Sequence, residues 1–154
     1  MLKKFFESLM PPKFQDPFFG TLLFMRAARR HQSYWEGSKV FDWRDARVEI
    51  EFSIDTPSEL DGPSEKQREF FNWVETDFSS ICRAVDKHLR AEPWSGHVTS
   101  KPFAEEFTVG HLSIPLCHRP NEEWEISFDS SSDPEHLYAA TLNGLTVMHI
   151  SMDG

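Results

Sequence analysis

Between Pro63 and Pro93 runs a stripe that constrains the whole chain. Phe70, Val74, Phe78, Ile81, Cys82, Val85 and Leu89 recur at three- and four-residue steps, the spacing that lines one face of an α-helix. Its start is marked by Ser64 followed by Gln67, a capping box in which each side chain satisfies a backbone N–H of the other residue. Asp86 and Arg90 add an i,i+4 pair on the far side. Unbroken to Ala91, such a helix spans roughly 40 Å, and a bend near Ser79-Ser80 would shorten it. The helix is expected to pack on a sheet, with Phe70, Val74, Phe78, Ile81, Val85 and Leu89 buried.

Strand patterns lie on both sides of it. Thr21 to Arg26, Tyr34 to Phe41 and Arg47 to Asp55 are β-type runs, and the third is the clearest: Val48, Ile50, Phe52 and Ile54 alternate with Glu49, Glu51 and Ser53. That period of two marks a strand with one buried and one wet face. Short polar turns predict a three-stranded antiparallel meander. After the helix come Phe107 to Leu116, Glu123 to Phe128, Leu137 to Leu142 and Leu145 to Met152, the last two joined by Asn143-Gly144. Asn-Gly suits a two-residue hairpin because both residues tolerate positive φ. A turn there pairs Leu142 with Leu145, Ala140 with Val147 and Tyr138 with His149. Leu137, Ala139, Met148, Ile150 and Met152 then join Trp124, Ile126 and Phe128 on the helix side. The other side collects Glu123, Glu125, Ser127, His136, Tyr138, Leu142, Leu145, Val147 and His149.

The expected fold is therefore a single α+β domain over residues 1–154: an N-terminal helix, a three-stranded antiparallel meander, one long helix and a four-stranded antiparallel meander. The N-terminal helix rests on Leu2, Phe5, Phe6, Leu9 and Met10, which share a face before Pro11 and Pro12 end it. It is appended over residues 1–12 and docks on the domain or on a second subunit. A homodimer through this helix or through a sheet face stays open. Fourteen Phe and five Trp supply a large core despite ten Pro and 27% charged residues.

Composition narrows the setting. Cys82 and Cys117 have no CxxC neighbour, so reduced thiols are expected. Residues 1–10 lack the uninterrupted apolar run and cleavage site of a signal peptide, and no run approaches a membrane span, which points to the cytoplasm. The formal charge is −9, and residues 120–154 hold Glu122, Glu123, Glu125, Asp129, Asp133, Glu135 and Asp153 with no Lys or Arg. Such a field repels phosphate backbones and attracts basic partners, so a protein partner is expected and nucleic acid is not.

Chemical motifs are sparse. His111, Cys117 and His118 lie close in sequence, but no HxH, HxxxH or CxxC spacing presents two ligands together, so neither a metal nor a cofactor is expected. Phosphate-loop, dinucleotide and nucleophile-elbow motifs are missing from the sequence, and no catalytic residue is assigned. Arg26, Arg29, Arg30 and His31 form one basic cluster, followed closely by Glu36, Asp42 and Asp45, as in a turn solvated by its own charges. Nearby Tyr34-Trp35 and Trp43 are read as core or edge-covering residues. The candidate binding residues are Glu122, Glu123, Glu125, His136, Tyr138 and His149. The alternative is a small hydrolase or metal-dependent enzyme using the same His/Glu sheet face.

The stretch from Phe14 through Asp16-Pro17, Phe19-Gly20 and Leu22 to Tyr34-Trp35-Glu36-Gly37, then Gly62-Pro63 and Gln67, resembles small uncharacterised bacterial proteins classed as a domain of unknown function. Trp124 to Phe128, Asp133, His136 and Asp153-Gly154 are similar too. Some comparable domains resemble immunity proteins that bind and block toxins of competing bacteria. The resemblance carries no activity and assigns no site residue. What it implies is a binding role: a non-enzymatic protein-binding module, in its sharpest version an immunity-type inhibitor of a basic toxin.

Overall fold

The alternation of residues 46–55 builds the middle of a large sheet, because Ile50, Phe52 and Ile54 are fully buried while Glu49 and Glu51 stay wet. The structure is a computed structural model that describes residues 10–26, 33–43, 46–91 and 93–154. Its strands are β1 (Lys13–Asp16), β2 (Gly20–Met25), β3 (Tyr34–Trp43), β4 (Ala46–Asp55), β5 (Phe107–Ile114), β6 (Trp124–Ser130), β7 (Leu137–Asn143) and β8 (Thr146–Asp153). The long helix α1 is Glu65–Leu89, and a 3-10 turn at Trp94–Gly96 and a single helical turn, α2 (Phe103–Glu106), precede β5.

The expected arrangement of an N-terminal helix and two separate meanders is overturned. All eight strands form one mixed sheet in the order β1-β2-β3-β4-β5-β6-β7-β8. The joint is a parallel pairing of β4 with β5, which sets Glu51 beside His111 and Phe52 beside Leu112. Hairpin signals report only local, antiparallel neighbours, whereas a parallel pair needs a long crossover, here supplied by α1. The first antiparallel group also has a fourth member, β1, whose four residues KFQD are too few and too mixed for a period-two signal. The anticipated N-terminal helix falls on residues 1–9, outside the described residues. Met10–Pro12 carry no helix, and the Pro12 carbonyl accepts from Phe24 N at 2.8 Å.

Helix α1 covers one side of the sheet. Phe71, Val74, Phe78, Ile81, Cys82, Val85 and Leu89 are buried, with Phe71 rather than the expected Phe70 completing the stripe. Phe71 meets Phe19 edge-on at 5.6 Å, and Phe78 meets Phe41 at 5.0 Å. The capping box is present: Gln67 N donates to Ser64 Oγ and Ser64 N to Gln67 Oε1. Gln67 has a second task, because its Nε2 donates to the carbonyls of Asp55 and Pro115, each at 2.9 Å. One buried amide thus clasps the ends of both parallel strands to the start of the helix.

Asp16 makes a second clamp. Its Oδ1 accepts from the N–H groups of Phe18 and Phe19, and its Oδ2 accepts from Arg68 Nη2 at 2.9 Å, with the carboxylate side chain fully buried. Burial by itself would raise this carboxyl, but the hydrogen bonds from Phe19, Arg68 and Phe18 hold it below the usual range.

The last hairpin corrects the expected faces. Asn143 pairs with Thr146 and Leu142 with Val147, but Thr141 pairs with His149 and Ala140 with Ile150. The turn therefore centres on Gly144-Leu145, with Gly144 at φ 55, one residue later than Asn143-Gly144. Met148 is left over as a bulge. An extra residue reverses the face of everything beyond it, so Tyr138, Ala140, Leu142 and Ile150 are core while Leu137 and Met148 are exposed.

Candidate protein-binding surface

The sheet face opposite α1 carries no covering element among the described residues. Register builds it in rows. One row runs Lys13, Leu23, Glu36, Ser53, Ser113, Glu125, Thr141, His149; the next includes Glu51, His111, Ser127, Ala139 and Ser151. Beyond them Val40 pairs with Glu49 and Asp129 with Leu137. Glu36, Glu49, Glu51, Glu125 and Asp129 are all exposed there. The middle of the face is made of Ser53, Ser113, Ser127 and Ala139, too short to rise above the strands, so the carboxylates stand around a low centre.

His111 lies in that centre beside a bulge at Gly110, where the register shifts between Val109 and His111. Glu49, Glu51, Val109, Gly110, His111, Ser127, Asp129 and Leu137 line a shallow depression of about 500 Å³. Burial lowers the His111 imidazole below its ordinary range, against the opposing pull of Glu125, Glu51 and Glu36. At neutral pH it is therefore uncharged, leaving the carboxylates to set the sign of this surface. Parallel strands are ordinarily covered on both faces. Here no described element covers one face of the β4–β5 pair.

The sequence-nominated residues do not come together. Glu125 and His149 sit on the open face, on either side of Thr141. Tyr138 is 1% exposed and belongs to the core. Glu122 is spent within its own loop, accepting from the N–H groups of Cys117, His118 and Arg119 at 2.8, 2.9 and 2.9 Å. Glu123 is exposed outside the strands, just before β6. His136 lies in the loop before β7, its Nδ1 2.6 Å from Asp133 Oδ1, while Tyr138 donates its hydroxyl to Asp133 Oδ2 at 2.8 Å. In the basic cluster, Arg26 pairs with Glu59 at 2.9 Å, and Arg29, Arg30 and His31 lie outside the described residues. The acids that sequence reasoning missed as a group, Glu36, Glu49 and Glu51, carried one signal: Glu49 and Glu51 hold the wet positions of the alternating strand.

A buried polar cluster borders this region. Glu106, 1% exposed, accepts from Thr99 Oγ1 at 2.6 Å, from Ser130 Oγ at 2.5 Å and from the Ser132 hydroxyl. Burial would raise its carboxyl, but these hydroxyls and Ser132 N outweigh burial and carry it down to about 2. A carboxyl depressed from 4.5 to about 2 contributes stability in full above its unfolded value, and loses it as pH falls through that window. Glu106→Gln is expected to cost roughly 2 kcal/mol at neutral pH and to flatten the stability profile between about pH 4.5 and 2. Urea unfolding across that range checks it, and an unchanged acid limb contradicts it.

Among the described residues, no group of three or more His, Cys, Asp or Glu is placed to hold a metal ion, and no helix is long and apolar enough to cross a membrane. Comparison with family models, curated proteins and solved structures finds no match.

Proposed function

We propose that the chain is a non-enzymatic protein-binding module whose open sheet face receives the basic surface of a partner protein, in the manner of an immunity-type inhibitor of a cationic toxin. The carrying observation is the face of β3 to β6 that no described element covers, with Glu36, Glu49, Glu51, Glu125 and Asp129 exposed around a low centre of serine, alanine and His111. Carboxylates outnumber the cations Lys13 and Arg47 on this face, and a predominantly negative surface steers a positively charged partner and speeds its association, an effect that salt screens. This reading moves the contact from the C-terminal acids as a group to the sheet face, since Glu122 already holds its own loop.

The test compares the parent with a Glu49→Gln, Glu51→Gln, Glu125→Gln variant. All three side chains are exposed, so folding should be nearly unchanged. The expected partner is a cationic protein captured by the parent, whose association rate falls as salt rises and falls at least about tenfold with the variant. A captured protein whose association ignores both salt and the substitutions overturns the proposal.

A further inference from the structure

The two edges of the sheet are unlike. β1 is four residues long, carries Lys13 and follows Pro11 and Pro12, which have no N–H to offer. Short length, lysine and proline are features that keep an edge strand from recruiting another. β8 has none of the three: it runs eight residues, TVMHISMD, and its acid is Asp153 at the end. As the last strand in the order it turns alternate N–H and C=O groups outward. Among the described residues, nothing hydrogen-bonds to that outer side. The guard it does carry is the bulge at Met148, whose side chain is exposed.

The bulge also limits what can pair. Beyond it, His149 to Asp153 match Thr141 to Leu137 one for one, so the regular stretch runs from His149 to Asp153. Ile150 and Met152 point to the helix side, where Ile150 is buried and Met152 packs on the core, while His149, Ser151 and Asp153 point to the open side. A strand that continues the sheet must keep these sides, apolar opposite apolar and polar opposite polar. The stretch meets that condition against itself. Run antiparallel about Ser151, its midpoint, it sets Ile150 opposite Met152, His149 opposite Asp153 and Ser151 opposite Ser151. The first is an apolar pair on the core side, and in the second an imidazole N–H donates to a carboxylate on the open side. Moving the axis to Ile150 would set the bulge opposite Met152 and lose the pairing of His149 with Asp153.

We propose that β8 pairs antiparallel with β8 of a second copy of this chain, across a two-fold axis at Ser151, so that two sheets continue edge to edge. Main-chain hydrogen bonds supply the attraction, and the alternating side chains set the register. The contact is isologous and closes at the dimer. Joining β8 to β1 would instead give open-ended growth, and the lysine and prolines at β1 oppose it. Repulsion across the seam is small. The nearest carboxylates of the acidic face, Glu125 and Asp129 on β6, stand roughly 24 Å from the β6 of the other copy at about 4.8 Å per strand, well past a Debye length of about 8 Å. The two copies of Asp153 are about 13 Å apart. The dimer is independent of the sheet-face reading and uses none of its carboxylates.

The test is sedimentation equilibrium of the intact protein, where a monomer–dimer equilibrium with Kd below about 100 µM is expected for a contact of this modest size. Ser151→Lys and Ser151→Glu each set like charges directly opposite at the axis and should weaken the dimer at least about tenfold. An equimolar mixture of the two variants should associate at least about tenfold more tightly than either alone, because only a pairing of Ser151 with Ser151 turns that repulsion into attraction. The glutamine variant of the sheet face should dimerise like the parent. In the isotope-labelled parent, dilution should shift the amides of β7 and β8 alone, a readout that needs no substitution. A monomer up to about 1 mM, growth beyond the dimer, a dimer indifferent to Ser151→Lys, a mixture no tighter than its components, or dilution shifts centred elsewhere would each overturn the proposal.

Discussion

Asp16→Ala is expected to destabilise the protein by about 3–5 kcal/mol at neutral pH, the usual loss when one member of a buried ion pair is removed and the other charge is left behind. Three groups lose their acceptor at once: the N–H groups of Phe18 and Phe19, and Arg68 Nη2. Arg68 is already strained in this respect, since its buried Nε has no hydrogen-bond partner among the described residues. Asp16→Asn keeps an oxygen for the two N–H groups and should lose less. The sign with pH follows from the depressed folded pKa: the contribution is complete above the unfolded value near 3.8 and is lost as pH falls below it. The check is the midpoint of urea unfolding with its slope unchanged. A loss under about 1 kcal/mol would mean that Arg68 is readily resolvated when Asp16 is gone.

Phe78→Ala should cost a similar amount, about 3–5 kcal/mol, by removing a ring from a closed interior. Phe78 is 1% exposed, at the middle of α1, and its ring meets Phe41 edge-on at 5.0 Å. Phe70→Ala on the same helix is the control. That ring is half-buried and packs only at the margin of the core, so its loss should be clearly smaller. Equal losses at the two positions would show that the margin of the helix supports the core as much as the buried stripe does.

Local periodicity made much of α1 readable, because Val74, Phe78, Ile81, Val85 and Leu89 repeat over many turns and Ser64 and Gln67 mark where the repeat begins. It could not separate Phe70 from Phe71, since adjacent apolar residues at the margin of a stripe are decided by what lies opposite. The parallel joint was illegible for a different reason: nothing in Arg47 to Asp55 or Phe107 to Leu116 states which strand lies alongside. In the final hairpin the Asn143-Gly144 signal found the turn but placed it one residue early, and Met148 as a bulged residue leaves no mark in a run that still looks alternating, although it moved Tyr138 from the surface to the core. Of the candidate surface, the wet positions of β4 were legible. Their union with Glu36, Glu125 and Asp129 needed the strand order. The Glu106 cluster was not legible at all, since Thr99 and Ser132 lie in loops and Ser130 at the very end of β6, and no spacing foretells their convergence.

The parallel β4–β5 joint also orders the assembly of the chain. Every other pair of neighbouring strands is joined by a short connection and can zip from its turn, at little entropic cost. Ser53 and Ser113 touch across the joint although they are 60 residues apart in sequence, so that contact must wait for a large loop to close. Non-local pairings of this kind slow folding. Two hairpin-built halves forming early, with α1 between them, would leave the β4–β5 edges as the last seam to shut. Until it does, each half exposes an unpaired strand, one with Ile50, Phe52 and Ile54 and the other with Phe107, Leu112 and Ile114, the type of edge that recruits other chains. The Gln67 amide, which reaches both sides of that seam, is the latch that holds it closed.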